Sequence, residues 1–360
     1  MKIIGRSMPM KRIVIADISS IRLNENNFGH YGKVAMMYKK LFESEDADVM
    51  IAGGPVYRTK AVESERIDLP FDFELKCGKS KFQILLMKIG SVINGIILFS
   101  KLKKDVVICQ PYSFPSWMTS ILFAKRTTDI YLIEYKDERH NRLNKILYNL
   151  AKKKIKGIIC PNDVVGKAYD LHYITVPDYI VPERKIRDEQ IEYKYDFGMV
   201  GIMSLGKDID DVIQSFVNTK YKVIIAGYFN DLQRYESFEK RCTPNITIIN
   251  KYLTDEEYND ILKSTKYMLL PYNKKYSAAS SGVIFDILFN GRPLITRDFM
   301  NFYFVKEYGV GTFYRESIAE LDYDKLLDDE NVAATCKKID DFLEDNYQSG
   351  LRLRNYIMGE

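Results

Sequence analysis

Residues that usually carry metal or redox chemistry are scarce in this chain: three histidines and five cysteines in 360 residues. The cysteines, Cys77, Cys109, Cys160, Cys242 and Cys336, are odd in number and far apart, with no Cys-x-x-Cys pair. That pattern argues against a disulfide framework and a zinc cluster, and for a reducing cytoplasm. With only 11 prolines, collagen-like and extended disordered chains are excluded. No unbroken apolar run reaches the roughly 20 residues of a membrane span. The most apolar window, 82–100, is interrupted by Lys88, Gly90, Asn94 and Gly95 and reads as a buried or interfacial helix. The basic start, Met1 to Met10, runs into a β-like stretch, Arg12 to Ala16, without a long apolar region or a small-residue cleavage site, so no secretion signal is expected.

What is present is a globular composition, 46% hydrophobic and 28% charged, in a length suited to two domains. The net charge of +4 hides an asymmetry: residues 1–185 carry +11 and the remainder −7. In the basic half, lysines such as Lys88, Lys101, Lys103, Lys104, Lys152 and Lys153 accompany apolar helical segments. This suits an anionic membrane surface or a phosphate-bearing partner, with solvated helix faces as the plain alternative. A nucleic-acid role has only the charge in its favour, because no nucleic-acid-binding module appears, and no nucleic-acid partner is expected.

Short β-branched runs alternate with room for helices. In the first half they are Arg12–Ala16, Asp48–Ala52, Asp105–Cys109, Asp129–Ile133 and Gly157–Cys160. In the second they are Tyr195–Val200, Tyr221–Ala226, Ile246–Ile249, Tyr267–Leu270 and Pro293–Thr296. The rhythm predicts an α/β chain with two parallel-sheet, Rossmann-like domains. Pro177, Pro182 and the charged run to Glu192 read as a linker. The expected domains are 1–183 and 184–339, with a helix at about 340–360 packing back onto the first.

Ligands of parallel sheets bind beyond the carboxyl ends of the strands, and four loops there stand out. Gly201-Ile202-Met203-Ser204-Leu205-Gly206-Lys207-Asp208 resembles a Walker A loop through its glycines and lysine but has Asp208 where the magnesium-binding hydroxyl belongs. It still predicts an anion site made of turn amides, a helix N-terminus and one cation. Ser280-Ser281-Gly282-Val283 reads as a second helix start with free amides, and Asp286 lies one turn further, on the face of Gly282. In the basic half, His30 sits in the glycine-flanked loop Asn26–Lys33, and Glu134 follows the strand Ile130–Ile133. Either is equally readable as a plain surface or helix-start residue.

The order Lys222–Gly227, Asn245–Ile248, Leu253–Tyr258, Met268–Tyr272, the Ser-Ser-Gly-Val helix and Gly291-Arg292-Pro293 resembles the nucleotide-sugar domain of GT-B glycosyltransferases, particularly the retaining family 4 group of bacterial polysaccharide biosynthesis. The likeness covers about residues 195–315. It implies two Rossmann-like domains facing across a cleft, a nucleoside diphosphate sugar held mainly by the second, and no obligatory metal or other cofactor. The acceptor implied is a glycan or lipid-linked glycan hydroxyl, with the enzyme cytoplasmic and peripheral on the inner membrane surface. The resemblance makes Lys207 the diphosphate-binding lysine, with Gly201, Gly206, Ser280, Ser281, Gly282 and Val283 around the donor and Asp286 at its ribose. Glu134 and His30 become the candidates facing the reacting sugar and acceptor. The family's loop arginine has no counterpart in 201–206, and its sugar-addressing glutamate falls on Ala278. A non-catalytic GT-B subunit supporting a partner transferase, or an epimerase of the same fold, are the alternative readings.

Overall fold

A computed structural model describes residues 11–359 except 25–26, 29, 45–46, 75–79, 112, 178–179, 182–191, 274–281 and 300–301, and only the backbone of the remaining residues of 23–31 and of 303. Residues 1–183 with 346–360 form one compact unit and 184–345 the other.

In the first unit the strands are β1 Lys11–Ala16, β2 Ile21–Asn24, β3 Asn27–Phe28, β4 Ala47–Gly53, β5 Arg66–Asp68, β6 Phe73–Glu74, β7 Val106–Cys109, β8 Asp129–Ile133, β9 Ile155–Cys160 and β10 Tyr173–Thr175. Seven of them pair in the order β10-β9-β8-β7-β1-β4-β5, all parallel, and β3-β2-β6 form a small separate sheet. β7 is buried at every position, as a strand covered on both faces must be, which is why it reads as an uninterrupted apolar run. The second unit has β11 Tyr195–Val200, β12 Val223–Gly227, β13 Ile246–Asn250, β14 Thr265–Leu270, β15 Leu294–Arg297 and β16 Gly311–Tyr314. Their order is β13-β12-β11-β14-β15-β16, again all parallel.

All ten expected strands are present. Of the strands in the two main sheets, the short β5, β10 and β16, whose apolar runs are brief, were not foreseen. Each sheet starts in its middle, grows to one side and returns to the other. The strand order therefore reverses between β1 and β7 in the first unit and between β11 and β14 in the second. Those two reversals open the crevices where parallel sheets place ligands. The helix expected near 340–360 runs over Asp329–Met358. Within the first unit its end is fastened by Asn346 Oδ1, which accepts from the Val181 N–H at 2.6 Å, and by Tyr356 edge-on to Tyr131.

Candidate functional site

In the second unit the two loops at the reversal are stitched to each other. Lys207 bridges Tyr272 in antiparallel fashion, the Asp208 N–H donates to the Pro271 carbonyl at 2.6 Å, and the Asn273 N–H donates to the Gly206 carbonyl at 2.9 Å. The loop after β11 and the loop after β14 therefore form one surface. Gly201, at φ +97°, needs its glycine. A Cβ there would lie 3.7 Å from Lys207 Nζ and 3.7 Å from Val283 Cγ2. The missing side chain is thus the space into which the lysine and the start of the helix Gly282–Phe289 both face.

Lys207 is 5% exposed, and its ammonium donates to the Val200 carbonyl at 2.9 Å. Among the described residues no carboxylate pairs with it. Burial alone pushes its pKa down from 10.5 to about 8, because a charge without a partner is costly to desolvate. The neighbouring Asp208 carboxylate is answered by Arg297 at the end of β15, 3.6 Å away, so it does not neutralise the lysine. Arg234 holds the loop in shape by donating to the Ser204 and Lys207 carbonyls, each at 3.2 Å.

Of the expected cradle of loop amides, five N–H groups are engaged within the protein. The N–H groups of Gly201, Met203, Lys207 and Asp208 already donate to the carbonyls of Ala226, Tyr228, Ser204 and Pro271, and that of Gly206 donates to Ser204 Oγ. What the loop adds is a buried cation beside the Cβ-sized gap at Gly201. The first turn of the helix Gly282–Phe289 adds N–H groups that have no acceptor within the helix. One turn on, the Asp286 carboxylate accepts from the Tyr258 hydroxyl at 3.1 Å. Tyr228 and Tyr252, just past the ends of β12 and β13, stack at 4.1 Å with Tyr252 60% exposed. Ser280, Ser281 and Ala278 lie outside the described residues. Sequence reasoning missed Arg297, Arg234, Tyr258 and the tyrosine pair; Arg297 and the tyrosines follow strand ends, which was the available signal.

Glu134 and His30 belong to the first unit. His30 opens the helix His30–Phe42, and its side chain is outside the described residues. Glu134 follows β8, is 6% exposed, and its N–H donates to the Ile159 carbonyl at 2.9 Å. Burial, with Glu138 adding repulsion, raises its pKa well above the ordinary carboxyl range, although the Tyr169 hydroxyl works the other way. Such a shift favours the neutral carboxyl, the form that can donate a proton. At the reversal beside β1, Asp17 is occupied by the turn: it accepts from Ser19 N–H, Ser20 N–H and the Tyr57 hydroxyl at 3.1, 2.8 and 2.8 Å. Gln110, which follows β7, is 1% exposed with neither amide atom bonded among the described residues.

The state of Glu134 has a measurable consequence. A carboxyl with a raised folded-state pKa stabilises the fold fully only below its unfolded value near 4.5, and that stability is lost as pH rises. Glu134→Gln keeps the neutral form at every pH. It is expected to melt level with the wild type at pH 4.5 and above it at pH 8; thermal melts giving the same difference at both pH values would show that Glu134 is ionised in the fold.

Two parallel α/β units with their sites at the strand-order reversals define the GT-B glycosyltransferase fold. Solved structures similar over the full length include HepE of Anabaena in complex with UDP and glucose, with a TM-score of 0.64 at 10% identity, covering 97% of this chain and 100% of that one. CalG4, the calicheamicin glycosyltransferase, matches with a TM-score of 0.57 at 13% identity over 98% of each chain. AviGT4, a glycosyltransferase involved in avilamycin A biosynthesis, matches at 0.61 and 11% identity over 97% and 99%. No protein-family profile and no curated protein matches the chain.

Proposed function

We propose that the chain is a glycosyltransferase that moves a sugar from a nucleoside diphosphate sugar to a hydroxyl of a glycan or lipid-linked glycan in cell-surface polysaccharide synthesis, with retention of configuration as the family 4 resemblance implies. The observation that carries this reading is Lys207: a buried ammonium that no carboxylate among the described residues pairs with, at a strand-order reversal, beside the gap at Gly201 and a helix start. Such a group is stabilised by a bound anion. As the glycosidic bond breaks, negative charge grows on the leaving diphosphate. Lys207 and the amides of Gly282 and Val283 would meet that charge, each such donor being worth roughly 2.7–4 kcal/mol in comparable anion sites. Asp286, oriented by Tyr258, would accept from ribose hydroxyls, and the exposed face of Tyr252 would suit a nucleobase. Glu134 would supply or take a proton on the acceptor side.

A thermal-shift panel of nucleoside diphosphates and nucleotide sugars tests the donor class without needing the acceptor. One base is expected to stabilise the protein strongly. Asp286→Asn should weaken that ligand about tenfold, since a hydrogen bond to a charged group is worth about 1.5–3 kcal/mol. Tyr258→Phe, which only loosens the carboxylate, should weaken it severalfold. If no nucleoside diphosphate raised the melting temperature, the donor reading would fall. Ala278, in place of a sugar-addressing glutamate, favours the second reading, a non-catalytic GT-B subunit; a bound nucleotide with no sugar transfer to any acceptor would select it.

A further inference from the structure

The first unit exposes an apolar surface that its own fold leaves uncovered. The helix Lys81–Lys101 is long and apolar enough, by length and composition, to cross a membrane. One side of it, however, is locked into protein. Asn94 donates to the Ile18 and Phe71 carbonyls at 2.8 and 2.9 Å and accepts from the Phe71 N–H at 3.1 Å. A Cβ on Gly95 would come within 2.2 Å of Ser120 Oγ, and one on Gly90 within 2.6 Å of the Phe73 ring. A spanning orientation would strip this face bare, so the folded unit does not present the helix as a span.

At about 100° per residue, Phe82, Leu85, Leu86, Ile89 and Ile93 fall within one arc roughly 100° wide, opposite Asn94 and Gly95. They are 39–67% exposed. The surface continues across the same layer: the helix Phe114–Ile121 packs against both this helix and Arg142–Ala151. The latter exposes Leu143, Ile146 and Leu150 at 58–60%, and Phe123 is 59% exposed after the middle helix. Side chains exposed singly need no explanation, but apolar stripes on two helices of one layer do.

Charge identifies what covers it. Residues 76–128 contain nine Lys or Arg and one acidic residue, Asp105, which is buried; residues 141–157 contain six Lys or Arg and none. Lys88 beside the first stripe, Lys103 and Lys104 beyond its end, and Lys145 and Lys153 on and after the second helix are all exposed. A second copy of the chain would set these cations against each other. An anionic bilayer offers acyl chains to the stripes and phosphates to the lysines.

We propose that this face lies flat on an anionic membrane leaflet, the helix Lys81–Lys101 in the interface plane with its Phe82–Ile93 stripe at the acyl boundary. This does not depend on the nucleotide-sugar reading. The test is co-sedimentation of the full chain with vesicles of phosphatidylcholine alone or with about 30% phosphatidylglycerol, at low and high salt, where electrostatic attraction is screened. Binding to the anionic vesicles at low salt is expected, falling at least about tenfold on neutral vesicles or at 0.5 M salt. Leu85→Gln/Ile89→Gln should lower anionic binding by about tenfold or more at an unchanged melting temperature, because each carries a half-exposed side chain. Lys103→Glu/Lys104→Glu should lower it as well. Equal binding by the wild type and the Leu85/Ile89 variant, no binding to any vesicle, or a dimer in light scattering that this variant dissolves would each overturn the proposal. A nucleoside diphosphate shift that persists in the variants separates loss of this surface from loss of the donor site.

Discussion

Lys207→Met is expected to raise the melting temperature of the free protein and to weaken its binding of nucleoside diphosphate by about a hundredfold or more. The first effect follows from burial. A fall in the lysine's pKa from 10.5 to about 8 means that holding it charged costs the fold about 3 kcal/mol, an order-of-magnitude value. A methionine of similar volume removes that cost and loses about 1 kcal/mol for the hydrogen bond to Val200. A net gain of about 2 kcal/mol should raise the melting temperature by roughly 4–8 °C for a unit of this size. The folded pKa lies below the unfolded one, so the cost is complete below pH 8 and fades as pH rises from about 8 toward 10.5. The variant's advantage should follow the same course in melts taken across that range.

The second effect follows if, as proposed, the charge is kept to meet a diphosphate. With the ammonium gone, the diphosphate faces only helix amides, and affinity should drop by about a hundredfold or more, at 2.7–4 kcal/mol for the lost cation. The wild type should also show a pH signature. A bound diphosphate holds the lysine charged, so affinity should be flat below pH 8 and weaken by up to about tenfold per pH unit above it, whereas Lys207→Met should be insensitive. Titration calorimetry of a nucleoside diphosphate between pH 6.5 and 9.5 reads both. Undiminished affinity in the variant would remove Lys207 from the donor site.

How far the sequence revealed this site depends on which interactions are local. The strands were legible because parallel sheets buried on both faces demand unbroken apolar runs, and β7 and β12 are such runs. The strand ends were legible because Gly201, Gly206 and Gly282 mark the turns. The loop after β11 spends part of its amide set on acceptors distant in the chain, the Ala226, Tyr228 and Pro271 carbonyls, which a local reading cannot show. Arg297 answering Asp208 across 89 residues and Tyr258 aiming Asp286 across 28 are pairings that no local pattern encodes. The helix Lys81–Lys101 shows the same division. Its apolar content is plain in the sequence, but which side faces outward is set by Asn94 and Gly95 finding Phe71 and Ser120.

Gly227→Ala is expected to be the most damaging single-methyl change in the second unit. Gly227 ends β12 at φ +154°, and a Cβ there would stand 1.8 Å from the Gly201 carbonyl oxygen and 2.7 Å from its carbon. Both obstacles are backbone, and the Gly201 N–H is itself tied to the Ala226 carbonyl at 3.1 Å, so no rotamer change relieves the contact. The loop carrying Lys207 must move, or β12 must part from β11. Overpacking that displaces backbone costs about 1–3 kcal/mol, with backbone strain adding about 1 kcal/mol or more. Gly309→Ala supplies the control. It too has a positive φ, +66°, but its Cβ would meet only the Lys338 side chain at 3.1 Å, which can swing aside, leaving about 1 kcal/mol. Denaturant melts should therefore rank Gly227→Ala well below Gly309→Ala, and only the former should lose nucleoside diphosphate binding, because only it pushes on the wall that Gly201 keeps open beside Lys207. Equal stabilities with binding intact in both would mean that the Gly201–Gly227 contact does not hold the donor loop in place.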